Sequence, residues 1–439
     1  MALLLGMVGT IQSWNVSLAI LNLCLISAIM SLGLNIQWGY AGLFNAGVMA
    51  STALGGLAAV LVSHSPVGKA WAAGGLDTGL ALMTLVLTVL GAWWIRRKVP
   101  EGYLRKVMFL MWLLCGYALL RYFYEQASLN IEAVDPAQTG FLGGLGLPIL
   151  ISWIVGGIAA AGLAWVVGRV ALGLRSDYFA IATLGISEIM ISILKNEDWL
   201  TRGVKNVTGL ERPVPYEVDL QQSQWFMELV IRLHSVDPNQ IRQEALQEMV
   251  ISASGVFVKL CYSGLFLIVL LIILGLAALA LNSPWGRMMR AIRDNEVAAA
   301  AMGKDVTNRH RQVFILGSAV IGVAGAMLTT LDGQFTPGTY IPLRFTFLIW
   351  VMVIIGGSGN NLGAVLGAFI TWFTWIEAEP VALWAVENLN SLLSEENPLR
   401  QHFIDVAPHL RMVVMGLILI LVLRFRPEGI LPERNINSK

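Results

Sequence analysis

The chain has 439 residues, 56% of them hydrophobic and 13% charged, with a mean hydropathy of +0.69. Soluble domains carry about 25% charged residues, so a soluble fold of this length could not cover its surface, and its solvent is largely lipid. A net charge of +1 offers no bulk attraction for nucleic acid, and Cys24, Cys115 and Cys261 sit singly in apolar runs without metal-ligand spacing.

A spanning helix needs about 20 apolar residues. Residues 1–68 hold no Asp, Glu, Lys or Arg. With no basic stretch ahead of it, the first span, 14–32, is read as its own insertion signal and not as a cleaved leader. Residues 39–62 form a second, Gly-rich candidate and 80–95 a third, ending at Arg96, Arg97 and Lys98. A fourth covers 107–120, extended by the interfacial aromatics Tyr122, Phe123 and Tyr124, before a polar stretch at 125–136. A fifth starts near Pro148, and a sixth, 178–194, is interrupted by Glu188. Residues 196–253 are hydrophilic, with nine acids against five bases, and read as a small surface subdomain with helical spacing in 221–250. Spans follow at 256–281 and 312–331. Residues 345–376 are uncharged and too long for one span, so the Gly-rich break at 356–361 makes them a hairpin of two. An acidic stretch at 378–408 precedes the last span, 406–423, and a basic tail. The expected fold is an all-α, polytopic transmembrane bundle in one domain, 1–439.

Basic residues in short loops mark the cytoplasmic side. The 96–106 loop has five, the 282–311 loop has six against three acids, Arg169 and Arg175 flank a third loop, and Arg424 and Arg426 open the tail. All four fall on one side if the spans alternate, which puts the C-terminus and 282–311 in the cytoplasm and 196–253 outside. The N-terminus lies outside with eleven spans, or inside with ten if 39–62 is re-entrant.

Four stretches carry possible chemistry. Residues 283–303, SPWGRMMRAIRDNEVAAAAMG, begin with a helix-start pair, Ser283 and Pro284. Asp294 can cap a second short helix of about eight residues over 295–302, with Glu296 in its first turn and Gly303 at its left-handed end. Such a knob between spans suits docking to another protein; the plainer alternative is a basic loop. In residues 33–50, GLNIQWGYAGLFNAGVMA, the glycines predict a broken or closely packed helix. Broken backbone at membrane depth is where transporters place polar substrate groups, which makes Asn35, Gly39, Tyr40, Gly42 and Asn45 path candidates; helix packing through small residues is the alternative. Glu188 is ionisable within an apolar helix, facing a polar path or bonding a hydroxyl such as Thr183 or Ser187. Gly356, Gly357, Gly359 and Asn360 form a tight turn in which asparagine can take left-handed geometry. A phosphate-cradling loop would be followed by a lysine, and none follows. The chain has no G-x-x-x-x-G-K-[ST] motif, its five histidines are scattered and no carboxylates pair, so no catalytic, ATP-hydrolysing or metal site is expected.

These stretches also carry a resemblance. Residues 296–303, EVAAAAMG, resemble the EAA-and-glycine coupling loop of ATP-binding-cassette (ABC) import permeases, and WGRMMRAIRDNEVAAAAMG is similar to the LivM-type permeases of branched-chain amino-acid importers. Gly33, Leu34, Asn35, Gly39, Tyr40, Ala41 and Gly42 match that family's GLN-x-x-x-GYAG segment, although Phe44, Asn45, Ala46 and Gly47 depart from its Ser-Leu-Gly-His run. DYFAIATLGISEI at 177–189 resembles DYLAIATLAFGEI, IGGSGNNLG at 355–363 resembles VLGGxGSxxG, and RPEGIL at 426–431 resembles the family tail. Thr208, Gly209 and Leu210 weakly match a further element.

The resemblance spans about 31–431 and implies an inner-membrane permease subunit, itself not an enzyme. It implies a second, similar permease, two cytoplasmic ATPases that bind ATP and magnesium, and a periplasmic substrate-binding protein. Coupling falls to Arg293, Asp294, Glu296, Ala299, Ala300 and Gly303, and the cargo is a branched-chain or other hydrophobic amino acid, or alternatively urea or a short amide. A stand-alone secondary transporter would need intramembrane charges beyond Glu188, and an embedded enzyme would need a convergent acid, base or metal cluster.

Overall fold

A computed structural model describes residues 1–134, 140–201, 206–235, 242–390, 405–406 and 409–433. Parts of the 125–136, 196–253 and 378–408 stretches therefore lie outside the described residues.

The chain opens with α1 (Ala2–Ile11) and turns into α2 (Trp14–Ala41), where the Ser13 hydroxyl accepts from Asn15 N at 3.1 Å. Gly42, at φ 72°, ends α2 in the left-handed conformation that glycine adopts without steric cost. A six-residue irregular stretch leads to α3 (Val48–Ser63). A long hairpin, α4 (Gly68–Lys98) and α5 (Tyr103–Glu132), precedes α6 (Ile149–Ala171) and α7 (Ser176–Asn196). Short helices α8 (Asp198–Thr201), α9 (Glu217–Gln222) and α10 (Gln224–His234) lead into the 40-residue α11 (Gln243–Asn282). Then come α12 (Pro284–Asp294), α13 (Glu296–Ala301), α14 (Val306–Asp332), α15 (Pro342–Gly356), α16 (Asn361–Asn390) and α17 (Leu410–Phe425). Among the described residues the only sheet is one antiparallel pair, β1 (Val207–Thr208) with β2 (Gln334–Phe335).

Among the described residues, seven helices (α2, α4, α5, α6, α7, α11 and α14) are long and apolar enough to cross a membrane. The expected ten or eleven spans would need α3, α15, α16 and α17 as well, of which α3 and residues 345–356 of α15 are apolar but shorter. Hydrogen bonds and close contacts fix which ends meet. Gly42 lies against Arg293, and Gly168 against Arg311. Leu145 N donates to Leu61 O, and β1 pairs with β2 just past the end of α14. Followed this way, the described chain passes between the two ends of the bundle eleven times. The loops at 96–106, 172–175 and 282–305 and the tail share one end, called here the basic end.

The centre is built from α2, α3, α6 and α14, packed through small residues that let backbones approach. A Cβ on Gly55 would run into the Gly322 carbonyl, and one on Gly33 would meet Gly317 O at 2.7 Å. The α4–α5 hairpin is different: its helices pack mainly on each other and are largely exposed, touching the rest at the far end through Ala70, Ala127, Ile131 and Leu142.

Several expectations need correcting. The helix holding Gly33 and Gly39 is unbroken as far as Ala41, and the irregular stretch falls at 42–47, so the 39–62 span is two pieces of different helices. Residues 125–132 and 378–390 are polar yet helical, and the helical spacing read in 221–250 continues from 243 without a break into the span after it, because a helix that leaves lipid can continue into water. The short helix after α12 is capped by Asn295, whose side chain accepts from Ala298 N at 2.9 Å, and it has six residues, not eight. Asp294 instead pairs with Arg293 at 3.1 Å.

Candidate functional site

At the basic end, α12 starts at Pro284 as its helix-start signal predicts, and packs Met289 and Ile292 into a cluster with Ile36, Tyr40 and Ala41 of α2. Beyond it, α13 stands out from the bundle. Glu296, Val297, Ala298 and Ala300 are exposed, Val297 and Met302 are each 80% exposed, and only Ala299 is half-buried. Gly303, at φ 77°, closes the knob in the left-handed geometry expected of it.

The knob is tied down by Arg293. Its guanidinium donates to the carbonyl of Gly39, forms an ion pair with Glu433 at 2.9 Å and reaches Asp294 at 3.1 Å. The planar fork of arginine is suited to holding several oxygens at once. Glu433 belongs to a tail segment that adds itself to the Gly-rich turn: Ile430 N donates to Ile355 O and Leu431 N to Gly356 O, both at 2.9 Å. Asn360 donates to Pro432 O at 3.1 Å, while its Oδ1 accepts from Leu362 N and Gly363 N and so caps α16. The left-handed positions are taken by Gly357 and Gly359, at φ 113° and 79°, and not by Asn360.

Asn35 closes this clamp from α2. Its Oδ1 accepts from Gly359 N at 2.9 Å, and its Nδ2 donates to Asn361 Oδ1 at 3.1 Å. Gly39 leaves the room for this contact, since a Cβ there would sit 2.5 Å from Gly359 N. Four stretches that read separately in the sequence therefore meet in one structure: GYAG, the coupling segment, the Gly-rich turn and the tail. Asn35, Gly39, Tyr40 and Gly42 lie in the clamp, apart from the other path candidates.

A second polar centre lies at the break between α2 and α3. Asn45 Nδ2 donates to Gln37 Oε1 at 2.8 Å, and Gln37 Nε2 donates to Phe314 O and Ser318 Oγ, both at 3.0 Å. Asn45 Oδ1 accepts from Gly47 N, and its carbonyl accepts from Trp350 Nε1 at 3.0 Å. Thr183 of α7 accepts from Ala46 N at 3.1 Å, docking the break onto α7. Asn45, Gly47, Thr183 and Ser318 help line a cavity of about 20 Å³, room for a single water. The bundle is thus shut at this level. Glu188 is not part of this network; it lies on the exposed face of α7.

Gln37, Arg293's link to Glu433, and Lys259 escaped the sequence reading. Lys259 lies within α11 and donates to Asn15 O at 3.1 Å and Asn15 Oδ1 at 3.2 Å, at the end of the bundle opposite the clamp. Polar residues inside otherwise apolar runs were the available signal for both Gln37 and Lys259. No group of three or more His, Cys, Asp or Glu side chains able to hold a metal occurs among the described residues.

A helical bundle threaded repeatedly between two ends around a polar break defines a multi-pass membrane protein. Residues 110–423 match the family described as branched-chain amino acid transport system / permease component, and the chain belongs to that family. Similar curated relatives include the high-affinity branched-chain amino acid transport system permease protein LivM of Salmonella typhimurium, 24% identical over 280 residues, 63% of this chain and 56% of the relative. The probable LivM of Methanocaldococcus jannaschii is 26% identical over 156 residues, 36% of this chain and 42% of the relative. The probable LivH of the same organism is 31% identical over 103 residues, 24% of this chain and 32% of the relative. The chain thus spans about half the length of the LivM relatives it matches. No solved structure matches it.

Proposed function

We propose that this chain is the transmembrane permease subunit of an ABC importer, carrying branched-chain or other hydrophobic amino acids inward by ATP-driven alternating access. The observation that carries this reading is the exposed α13 knob, anchored through Arg293 to both α2 and the Gly-rich turn. An exposed apolar pair, Val297 and Met302, on a short rigid helix supplies a surface for a partner protein, and the clamp gives any push on it a route into the bundle. Arg293, Asp294, Glu296, Ala299, Ala300 and Gly303 form the coupling element in this proposal.

The partners are a second related permease, two ATPase subunits that hold ATP and magnesium, and an external substrate-binding protein; this chain itself holds no cofactor. The names of the LivM and LivH relatives support the pairing of two permease types. The basic end faces the cytoplasm of a bacterial inner membrane, following the distribution of Lys and Arg. The 196–253 segment lies outside, where it helps seat the binding protein. Asn45, Thr183 and Glu188 flank the path; Asn35, Gly39, Tyr40 and Gly42 support it from the clamp.

The test is substrate uptake coupled to ATP hydrolysis in vesicles that hold the assembled complex, comparing wild type with Glu296→Arg. The variant should insert normally and lose ATPase recruitment or coupling. Undiminished uptake, or uptake without any ATPase, would replace this reading with a stand-alone transporter.

A further inference from the structure

The free face of α7 carries a group that lipid cannot satisfy. One side of the helix, with Phe179, Thr183, Ser187, Ile191 and Leu194, is buried in the bundle. The opposite side exposes Ile181, Gly185, Glu188, Ile189 and Ser192. Glu188 stands about 18 Å along the helix axis from Ser176 and about 12 Å from Asn196, which is close to the middle of the span. It makes no hydrogen bond or ion pair with any described residue, and the hydroxyl of Ser187 beside it is buried without a partner. A carboxylate at this depth is costly in hydrocarbon, and such groups face a polar cavity or a partner. The same helix holds the α2–α3 break through Thr183, little more than one turn away.

Resting on the transport reading above, we infer that Glu188 receives the ammonium group of the substrate as it passes along this outer face of the bundle. The chemistry of the face fits an amino acid with an aliphatic side chain. A carboxylate accepts hydrogen bonds and complements a cation, Ser192 adds a hydroxyl, and Ile181 and Ile189 form an apolar wall beside them. Urea and short amides carry no cation for Glu188 to pair with. The cargo of this chain is therefore a molecule with a free protonated amine.

The experiment uses the whole complex in proteoliposomes with loaded binding protein at saturation, and compares wild type, Glu188→Gln and Glu188→Asp. Labelled L-leucine and labelled urea are the probes, and ATP hydrolysis is followed in parallel. Glutamine keeps the shape and loses the charge, so leucine uptake should fall about tenfold to a hundredfold, the range of one charge-assisted hydrogen bond. Aspartate should restore part of it, and the permease pair should stay assembled. Leucine uptake by Glu188→Gln at the wild-type rate overturns the inference and leaves the proposed function standing. Loss of the permease pair in Glu188→Gln also overturns it, by making Glu188 an assembly contact. A wild-type complex that carries urea and not leucine overturns it through the cargo. If wild type moves neither probe with ATP, the proposed function fails first.

Discussion

Replacing Asn35 by Ala separates a clamp from a pore. The side chain is fully buried and makes two hydrogen bonds across to the 356–361 turn, at 2.9 Å from Gly359 N and 3.1 Å to Asn361 Oδ1. Truncation leaves the Gly359 N–H buried without an acceptor, which costs about 1–3 kcal/mol, and removes a second bond with a net value of about 0.5–1.5 kcal/mol. Side-chain bonds between membrane helices average about 0.6 kcal/mol, because the unfolded chain in lipid also finds partners. Two such bonds set a floor of about 1 kcal/mol, and the expected loss is about 1–4 kcal/mol. Heating the purified complex in detergent and measuring what stays monodisperse should show the midpoint falling by several degrees. Asn35→Asp keeps an acceptor for Gly359 but buries a carboxylate that cannot donate to Asn361, so it should not restore the midpoint. Substrate preference should not change in either variant. An unchanged midpoint, or altered selectivity at normal stability, would show that Asn35 faces the path and that the clamp argument is wrong.

The remaining predictions concern the tail and the orientation. Arg293→Ala frees Glu433 and the Gly39 carbonyl. The ion pairs of Arg293, to the quarter-exposed Glu433 and the largely exposed Asp294, are each worth at most about 0.2–1 kcal/mol after screening, so the protein should still fold. The 428–433 segment should nevertheless become more sensitive to protease, and uptake should drop at an unchanged membrane level. Arg293→Lys should fall between the two, since an ammonium lacks the fork that holds several oxygens. Normal uptake and protease resistance in Arg293→Ala would remove the clamp from the mechanism. For orientation, a membrane-impermeant maleimide applied to intact cells should label Val218→Cys and not Lys304→Cys, both of which are exposed sites. Inverted vesicles should give the opposite result, and the reverse pattern in cells would turn the proposed topology over.

Much of the scaffold was legible because it depends on local chemistry. Apolar length located α6, α14 and α17, the Gly-rich interruption separated α15 from α16, and Pro284 and Gly303 marked ends that the structure places where their backbone preferences require. Length also misled. A rule based on bilayer thickness stops a span where charges begin, so the polar ends of α5, α11 and α16 were not joined to the spans they continue. The glycines of residues 33–50 pointed to a break but not to its position, because glycine serves close packing at Gly33 and Gly39 and a left-handed turn at Gly42.

The clamp was not legible as a unit. Arg293 and Gly39 are 254 positions apart, and Asn35 and Gly359 are 324 apart. Pairings at that range leave no periodicity in either segment. Asn35 and Asn45 read alike in the sequence, as polar residues in one Gly-rich stretch. Their separation into two centres depends on what α14, α16 and α7 bring against them.

One helix connects the events at the two ends. The 27 residues of α14 extend for about 40 Å, beginning three residues after Gly303 closes the knob and ending where Gly333 turns into the β1–β2 pair. Its middle crosses α3 and α6 at glycines so close that neither neighbour can slide without carrying it along. The helix is therefore placed to work as a lever with its fulcrum at the bundle centre. For a rod of that length pivoting at its middle, a tilt of about 3° would move the strand pair by about 1 Å, so a partner gripping the knob and a load on the strands would each be felt at the other end.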